Sequence, residues 1–238
     1  MSNYNIEFVN ELTSTNSYLK ELVKNKGICA PYCVYAGAQT AGRGQRSKVW
    51  ESQPFDNILS SFLAEDLGPI QKLSHLNNAA IISVVNTLIR FDVKHVLVKW
   101  PNDVYISDKK IAGILIENIV SNQIIKTAIV GIGVNINQQN FGPLEATSVI
   151  RELGYSISVI EFLQILYTEF YSNLNEDHAY LNQQMNSSLY KQGEIVNFEV
   201  GDDIRSFTID NIGLDGKLNV ISSDSKLALE HHKVKWVK

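Results

Sequence analysis

The spacing of apolar positions changes several times along the chain, and each change marks an element. An apolar segment at residues 6–9 leads into Ser14-Thr15-Asn16, after which Leu19, Leu22 and Val23 share one helical face before Gly27. This predicts a helix with Thr15 as N-cap and Gly27 as its stop. Residues 34–38 and 57–63 are β-prone and flank a glycine- and arginine-rich loop. Leu73, Leu76, Ala80, Val84, Leu88 and Phe91 then keep a helical period over about five turns. From Val96 the period becomes that of strands, at residues 96–99, 104–106, 110–119 and 124–136, with Ser107-Asp108 and Ser121-Asn122 as turns. Tight turns between strands require antiparallel or mixed pairing, whereas a doubly wound sheet would need a crossover helix at each step. Residues 143–153 read as a short helix or turn, and Ser158 with Glu161 forms a capping box for a long helix through about Leu181. The Asn-, Gln- and Ser-rich residues 182–188 read as a boundary. Beyond it, about five short β-prone runs punctuated by Gly193, Gly201 and Gly216 suggest a small β-barrel. The expected fold is α+β, with a mixed β-sheet flanked by helices in residues 1–185 and a small barrel in residues 186–238.

Composition narrows the function classes. The 238 residues are 45% hydrophobic and 19% charged, with a formal net charge of -4. No global basic field would draw this chain to DNA or an anionic membrane, so any anion site must be local. The first residues lack a basic segment followed by an apolar core, and no apolar run reaches membrane-spanning length, so a cytoplasmic protein is expected. Cys29 and Cys33 are too few for a disulfide framework and lack redox or zinc spacing, so both are expected to be small core residues. The five histidines show no ligand spacing, and adjacent His231 and His232 would face opposite sides of a strand. No structural metal is assigned.

Candidate chemistry gathers in two stretches. In Gln39-Thr-Ala-Gly42-Arg43-Gly44-Gln45-Arg46-Ser47-Lys48-Val-Trp50, glycines permit a sharp turn and close ligand approach, while Arg43, Arg46 and Lys48 surround that turn with cations suited to carboxylate or phosphate. In Lys99-Trp100-Pro101-Asn102-Asp103, a cation, an aromatic face and two polar side chains meet at a strand end. Lys110 follows at the head of an apolar strand, and Gly113 leaves room there for a ligand. Ser14-Thr15-Asn16 alone reads as a helix cap whose hydroxyls and backbone donors can also hold polar ligand atoms.

Taken in order, Ser14-Thr15-Asn16, Gln39-Thr-Ala-Gly-Arg-Gly44, Lys99-Trp-Pro-Asn-Asp103, Lys110-Ile-Ala-Gly-Ile-Leu115 and Gly131-Ile-Gly-Val-Asn135 resemble the biotin protein ligases over nearly the whole chain. The resemblance implies a catalytic fold shared with lipoate ligases and a C-terminal SH3-like barrel. It implies ATP and biotin as substrates, with Mg²⁺ accompanying ATP, and biotin carboxyl carrier protein as partner. Biotin would be held by Ser14, Thr15, Asn16, Gln39, Gly42, Arg43, Gly44, Gln45, Lys110 and Gly113. The nucleotide side would comprise Arg46, Lys48, Trp50, Asn102, Asp103, Asn135, Ala146 and Ser148. Arg43 and Lys110 would neutralise the reacting anions, and Asp103 would receive or orient the proton of the acceptor amine. Many relatives read Gly-Arg-Gly-Arg-x-Gly, whereas Gln45 and Ser47 replace the second arginine and the later glycine here. Either a leakier adenylate or a different hydrogen-bond closure is expected, with slower ordering of the loop. The motifs begin too early for an N-terminal helix-turn-helix, so no operator binding is expected, while exposed strand edges leave a homodimer open.

Overall fold

The computed structural model describes residues 4–223 and 225–237, with the side chain of Ser47 outside the described set. Its main sheet contains β1 (Ile6–Leu12), β2 (Tyr32–Gln39), β3 (Ile58–Pro69), β4 (Val96–Lys99), β5 (Asp103–Ile106), β6 (Lys109–Ser121) and β7 (Ile124–Val134). Their spatial order is β1-β2-β3-β7-β6-β5-β4. Only β1 and β2 pair in parallel; the other neighbours are antiparallel. A parallel pair needs a crossover, and α1 (Thr15–Lys26) supplies it.

The helices cover both faces. On one, Leu19 and Leu22 of α1 pack with Val34, Leu63 and Ile129. On the other, α2 (Leu73–Arg90) and α4 (Val159–Asn173) bring Ala80, Val84, Phe162 and Phe170 onto Cys33, Phe62 and Val130. Phe62 is fully buried, so its truncation to Ala would cost about 3–5 kcal/mol. This two-sided core makes the sheet a rigid floor for the site.

The chain continues through α3 (Val149–Leu153) and α5 (His178–Ser187) into β8 (Ile195–Val200), β9 (Asp203–Ile212), β10 (Leu218–Ser222), β11 (Ser225–Leu229) and β12 (Val234–Trp236). These five strands form an antiparallel sheet in the order β11-β10-β9-β8-β12, and among the described residues it is not closed into a barrel. No described helix is long and apolar enough to cross a membrane.

Several expectations shift. Ser14, extended at φ -160, is the N-cap of α1, and Thr15 is its first helical residue. Gly27 ends the helix in the left-handed conformation, as its position suggested. The long helix after Ser158 breaks, because the Asp177 carboxylate accepts the Tyr180 N–H and caps a new helix. Residues 182–187 are helical rather than a linker. The Asn182 and Asn186 amides donate to the Ile212 carbonyl, so this polar stretch clasps the second sheet. Cys33 is buried but Cys29 is exposed. His231 and His232 lie in a turn before β12, not within a strand.

Candidate functional site

A narrow slot forms where the start of α1 meets the glycines of β7. Gly131 pairs with Ser61 of β3 and Leu115 of β6, and a Cβ there would sit 2.6 Å from Asn16 Oδ1. The missing side chain is the hollow that receives the Asn16 amide. Gly133 does the same for Trp50, whose Cε2 would be 2.6 Å from an added Cβ. Gly113 is constrained from two sides, with Lys110 Nζ at 3.0 Å and Trp50 Cζ3 at 3.1 Å from such a Cβ.

A continuous hydrogen-bonded chain runs through the slot. The Thr15 N–H donates to Gln39 Oε1 at 2.8 Å. Ser61 Oγ, fully buried, lies 2.7 Å from Thr15 Oγ1 and 2.5 Å from Asn16 Oδ1. Asn16 Nδ2 donates to Glu117 Oε2 at 2.8 Å, and Arg43 Nη2 donates to the same oxygen at 2.9 Å. Arg43 also reaches Ser17 Oγ at 3.2 Å.

The glycine-arginine loop is a tight hairpin. Trp50 N–H donates to Gly42 O at 3.0 Å and Gly44 N–H to Lys48 O at 2.7 Å. A Cβ at Gly42 would meet Trp50 O at 2.5 Å, so glycine is required for that approach. Arg46 occupies the tip at φ 55. The three cations do not surround one point. Arg43 turns to Glu117, Arg46 donates to the carbonyls of Val234 (2.7 Å) and His231, and Lys48 lines a second, broad cavity.

That cavity, about 780 Å³ against about 60 Å³ for the slot, lies between the main sheet, the hairpin and the C-terminal sheet. Lys110 Nζ and Asp103 Oδ1 form an ion pair of 2.6 Å at its edge. Segment 145–147 braces this lysine: Lys110 N–H donates to Glu145 O, and Thr147 N–H donates to Lys110 O. Lys99 Nζ sits over the rings of Tyr105, Trp236 and Tyr190 at 4.6, 4.9 and 5.3 Å. Burial, then neighbouring carboxylates, pushes the Tyr105 hydroxyl well above its ordinary pKa. For Tyr190, burial and then the Asp108 hydrogen bond act the same way. Burial lowers the pKa of His231, helped by His232 and Arg46.

Slot and cavity share Gly44, Gln45, Trp50, Asn102 and Lys110. The Trp50 indole Nε1 is buried there and has no hydrogen-bond partner among the described residues. Asn102 is held by Ile114, to which its Nδ2 donates at 2.6 Å.

Of the residues expected around the first substrate, Ser14, Thr15, Asn16, Gln39, Arg43, Gly44, Gln45, Lys110 and Gly113 line the slot, whereas Gly42 does not. Arg46, Lys48 and Asp103 line the broad cavity alone. Asn135, Ala146 and Ser148 line neither. Asn135 Nδ2 donates to Thr147 O and Ser148 Oγ to Gln138 O, so both side chains brace the strand ends. Sequence reasoning missed Ser61, Glu117 and the wall formed by Tyr190, His231 and Trp236. A signal existed for the first: Ser60-Ser61 interrupts an otherwise apolar buried strand.

A slot lined mainly by hydrogen-bonding groups thus adjoins a wider cavity lined by charged and aromatic side chains, with Gly44, Gln45, Trp50, Asn102 and Lys110 common to both. The chain belongs to the biotin/lipoate A/B protein ligase family, whose sequence model matches residues 8–135. It is 35% identical over 149 residues to the bifunctional ligase/repressor BirA of Bacillus subtilis, an alignment covering 62% of this chain and 44% of that relative. It thus spans less than half of that protein's length. It is 30% identical over 165 residues to the biotin--[acetyl-CoA-carboxylase] ligase of Paracoccus denitrificans, covering 66% of this chain and 68% of the relative. The fold is that of the Aquifex aeolicus biotin protein ligase solved with biotin and ATP, with TM-score 0.83, 23% identity and coverage of 98% and 99% of the two chains.

Proposed function

We propose that this chain is an ATP-dependent biotin protein ligase. It would activate biotin to biotinyl-AMP with release of pyrophosphate, then transfer biotin to a lysine of a biotin carboxyl carrier protein in the cytoplasm. The observation that carries this reading is the junction at Lys110, where the narrow slot and the broad cavity share a wall. A bicyclic urea suits the hydrogen-bonding slot, and a nucleoside triphosphate suits a wide cavity lined by Arg46, Lys48, Lys99, Lys110 and Lys235. The carboxylate of the first would meet the α-phosphate of the second at the junction.

Two anions approaching one another need neutralised charge and alignment rather than a protein nucleophile. Lys110 supplies the charge, and the Trp50 N–H supplies a donor that burial makes costly to leave unpaired. In the second step, the neutral amine of the acceptor lysine attacks the mixed anhydride, AMP leaves, and Asp103 is placed to take or orient the proton. Mg²⁺ would enter with the triphosphate. Among the described residues no group of three or more His, Cys, Asp or Glu side chains is placed to hold a metal. Such an ion would be ligated mainly by phosphate oxygens and water, with Asp103 as the protein carboxylate at hand.

The test is mass spectrometry of the purified chain incubated with ATP, Mg²⁺ and biotin, with and without a carrier domain. A carrier that gains one biotin only with ATP supports the reading. Adenylate formed with lipoate but not biotin would move the chain to the lipoate branch, and no adenylate with either would overturn it.

A further inference from the structure

We infer that Glu117 and Arg43 act as a positioning pair that sets the donor and acceptor polarity of the slot and ties the hairpin to it. This deepens the function proposed above and rests on it.

The argument is a proton count. Glu117 is a carboxylate that accepts from Arg43, so toward Asn16 it can only accept. Asn16 must therefore present its NH₂ end to Glu117 and its carbonyl Oδ1 to Ser61. Ser61 has one hydroxyl proton, which goes to that carbonyl at 2.5 Å, so the Thr15 hydroxyl, which also lies 3.1 Å from Gln39 Oε1, must turn its proton to Ser61 at 2.7 Å. Gln39 Oε1 is then satisfied by the Thr15 backbone N–H at 2.8 Å. One charged group thus fixes the sense of the hydrogen bonds of Asn16, Ser61 and the Thr15 hydroxyl, while the Thr15 backbone N–H fixes that of Gln39. Without Glu117 only the Leu115 carbonyl, 3.4 Å from Asn16 Nδ2, holds that end of the amide, and the direction of the relay is weakened.

The pair's exposure supports a positional role over a stabilising one. Arg43 and Glu117 side chains are 46% and 32% exposed, so the ion pair adds little to folding. Its geometry is nonetheless specific, because one carboxylate oxygen joins β6, the start of α1 and the hairpin. Arg43 is thereby committed to Glu117 and acts through it. A neutral urea presents one acceptor and two donors, and its recognition depends on the slot's polarity. A purely apolar head would not read it.

Calorimetry on the purified full chain tests this, with biotin and ATP titrated separately. Glu117→Gln and Arg43→Gln should each weaken biotin about tenfold or more while leaving ATP affinity unchanged, and the double variant should be no worse than either single one. Asn16→Asp places two acceptors face to face and should also lose biotin affinity. Adding Glu117→Gln to it restores a donor and should recover part of that loss, which a merely structural role would not do. Trypsin should cut the hairpin faster in Glu117→Gln than in the wild type, since Arg43, Arg46 and Lys48 all lie in it. Unchanged biotin affinity and unchanged cleavage in Glu117→Gln would overturn the inference, as would additive losses in the double variant. Wild-type protein that binds no biotin would instead overturn the proposed function, and the trypsin comparison would still decide whether the pair holds the hairpin.

Discussion

The slot and the broad cavity solve opposite problems with the same hairpin between them. The slot is narrow, walled by backbone and glycines, and its polar groups already hold one another in a directed chain. The cavity is about 780 Å³, is lined by cations, aromatic rings and the carboxylates of Asp103, Asp108 and Glu145, and takes part of its wall from the C-terminal sheet. A small rigid neutral head is best read by groups that do not reorganise, because preorganised donors cost nothing at the moment of binding. A long flexible polyanion is better served by charge distributed over a wide surface. The hairpin is anchored to each side by a different arginine, with Arg43 tied to the slot through Glu117 and Arg46 to the second sheet through Val234 and His231.

This contrast is broken most sharply at its junction. Lys110→Ala should lower the rate of adenylate formation about 10²–10³-fold, read as pyrophosphate release, with biotin affinity little changed. A large loss of biotin binding instead would place Lys110 in the slot alone. Next in size is Gly133→Ala, whose Cβ would lie 2.6 Å from the Trp50 ring. Displacing that ring should cost about 1–3 kcal/mol of stability and weaken both substrates together. If only one substrate suffers, Trp50 is not the shared wall.

Arg46→Ala should release the hairpin from the C-terminal side only. An ATP KM raised about fivefold with unchanged biotin affinity is expected, since each lost carbonyl bond to a charged donor is worth about 1.5–3 kcal/mol before solvent competes for it. Gln45→Arg should slow adenylate dissociation by a few-fold, because Gln45 faces both compartments. Equal rates in variant and wild type would count against any leak through this position.

The smallest expected effect is on pH. His231 is lowered from 6.5 by burial first, then by His232 and Arg46, against a raising contribution from Glu230. The folded state thus prefers the neutral ring, and the unfolded chain binds the extra proton first. Stability from this site is complete above about 6.5 and falls as pH drops toward the lowered folded value. Hydrogen exchange of the hairpin at pH 7.5 and 5.5 should show faster opening at the lower pH, and His231→Gln should flatten that difference.

Much of this molecule was legible as sequence because local rules sufficed. The α1 stop at Gly27, the α2 period and the strand-turn-strand run from Val96 depend on spacing and turn chemistry within a few residues. The slot residues were legible too, since a resemblance in motif order named nearly all of them. What escaped were contacts between distant parts of the chain. Ser61 and Glu117 look like ordinary strand residues until Gly131 brings Asn16 between them. Arg46 looks like a ligand cation until His231 in the turn before β12 and Val234 at the start of β12 each offer it a carbonyl. Asn135 and Ser148 look like site residues until the fold spends their hydrogen bonds on strand ends. By itself the sequence determined most helices and strands of the main sheet and which side chains could carry the chemistry, because those follow from periodicity and residue type. The helix break at Asp177 and the helical residues 182–187 did not show in it. Only the tertiary structure decided where each charge points, because a long side chain takes its direction from the partners that folding brings within hydrogen-bond reach.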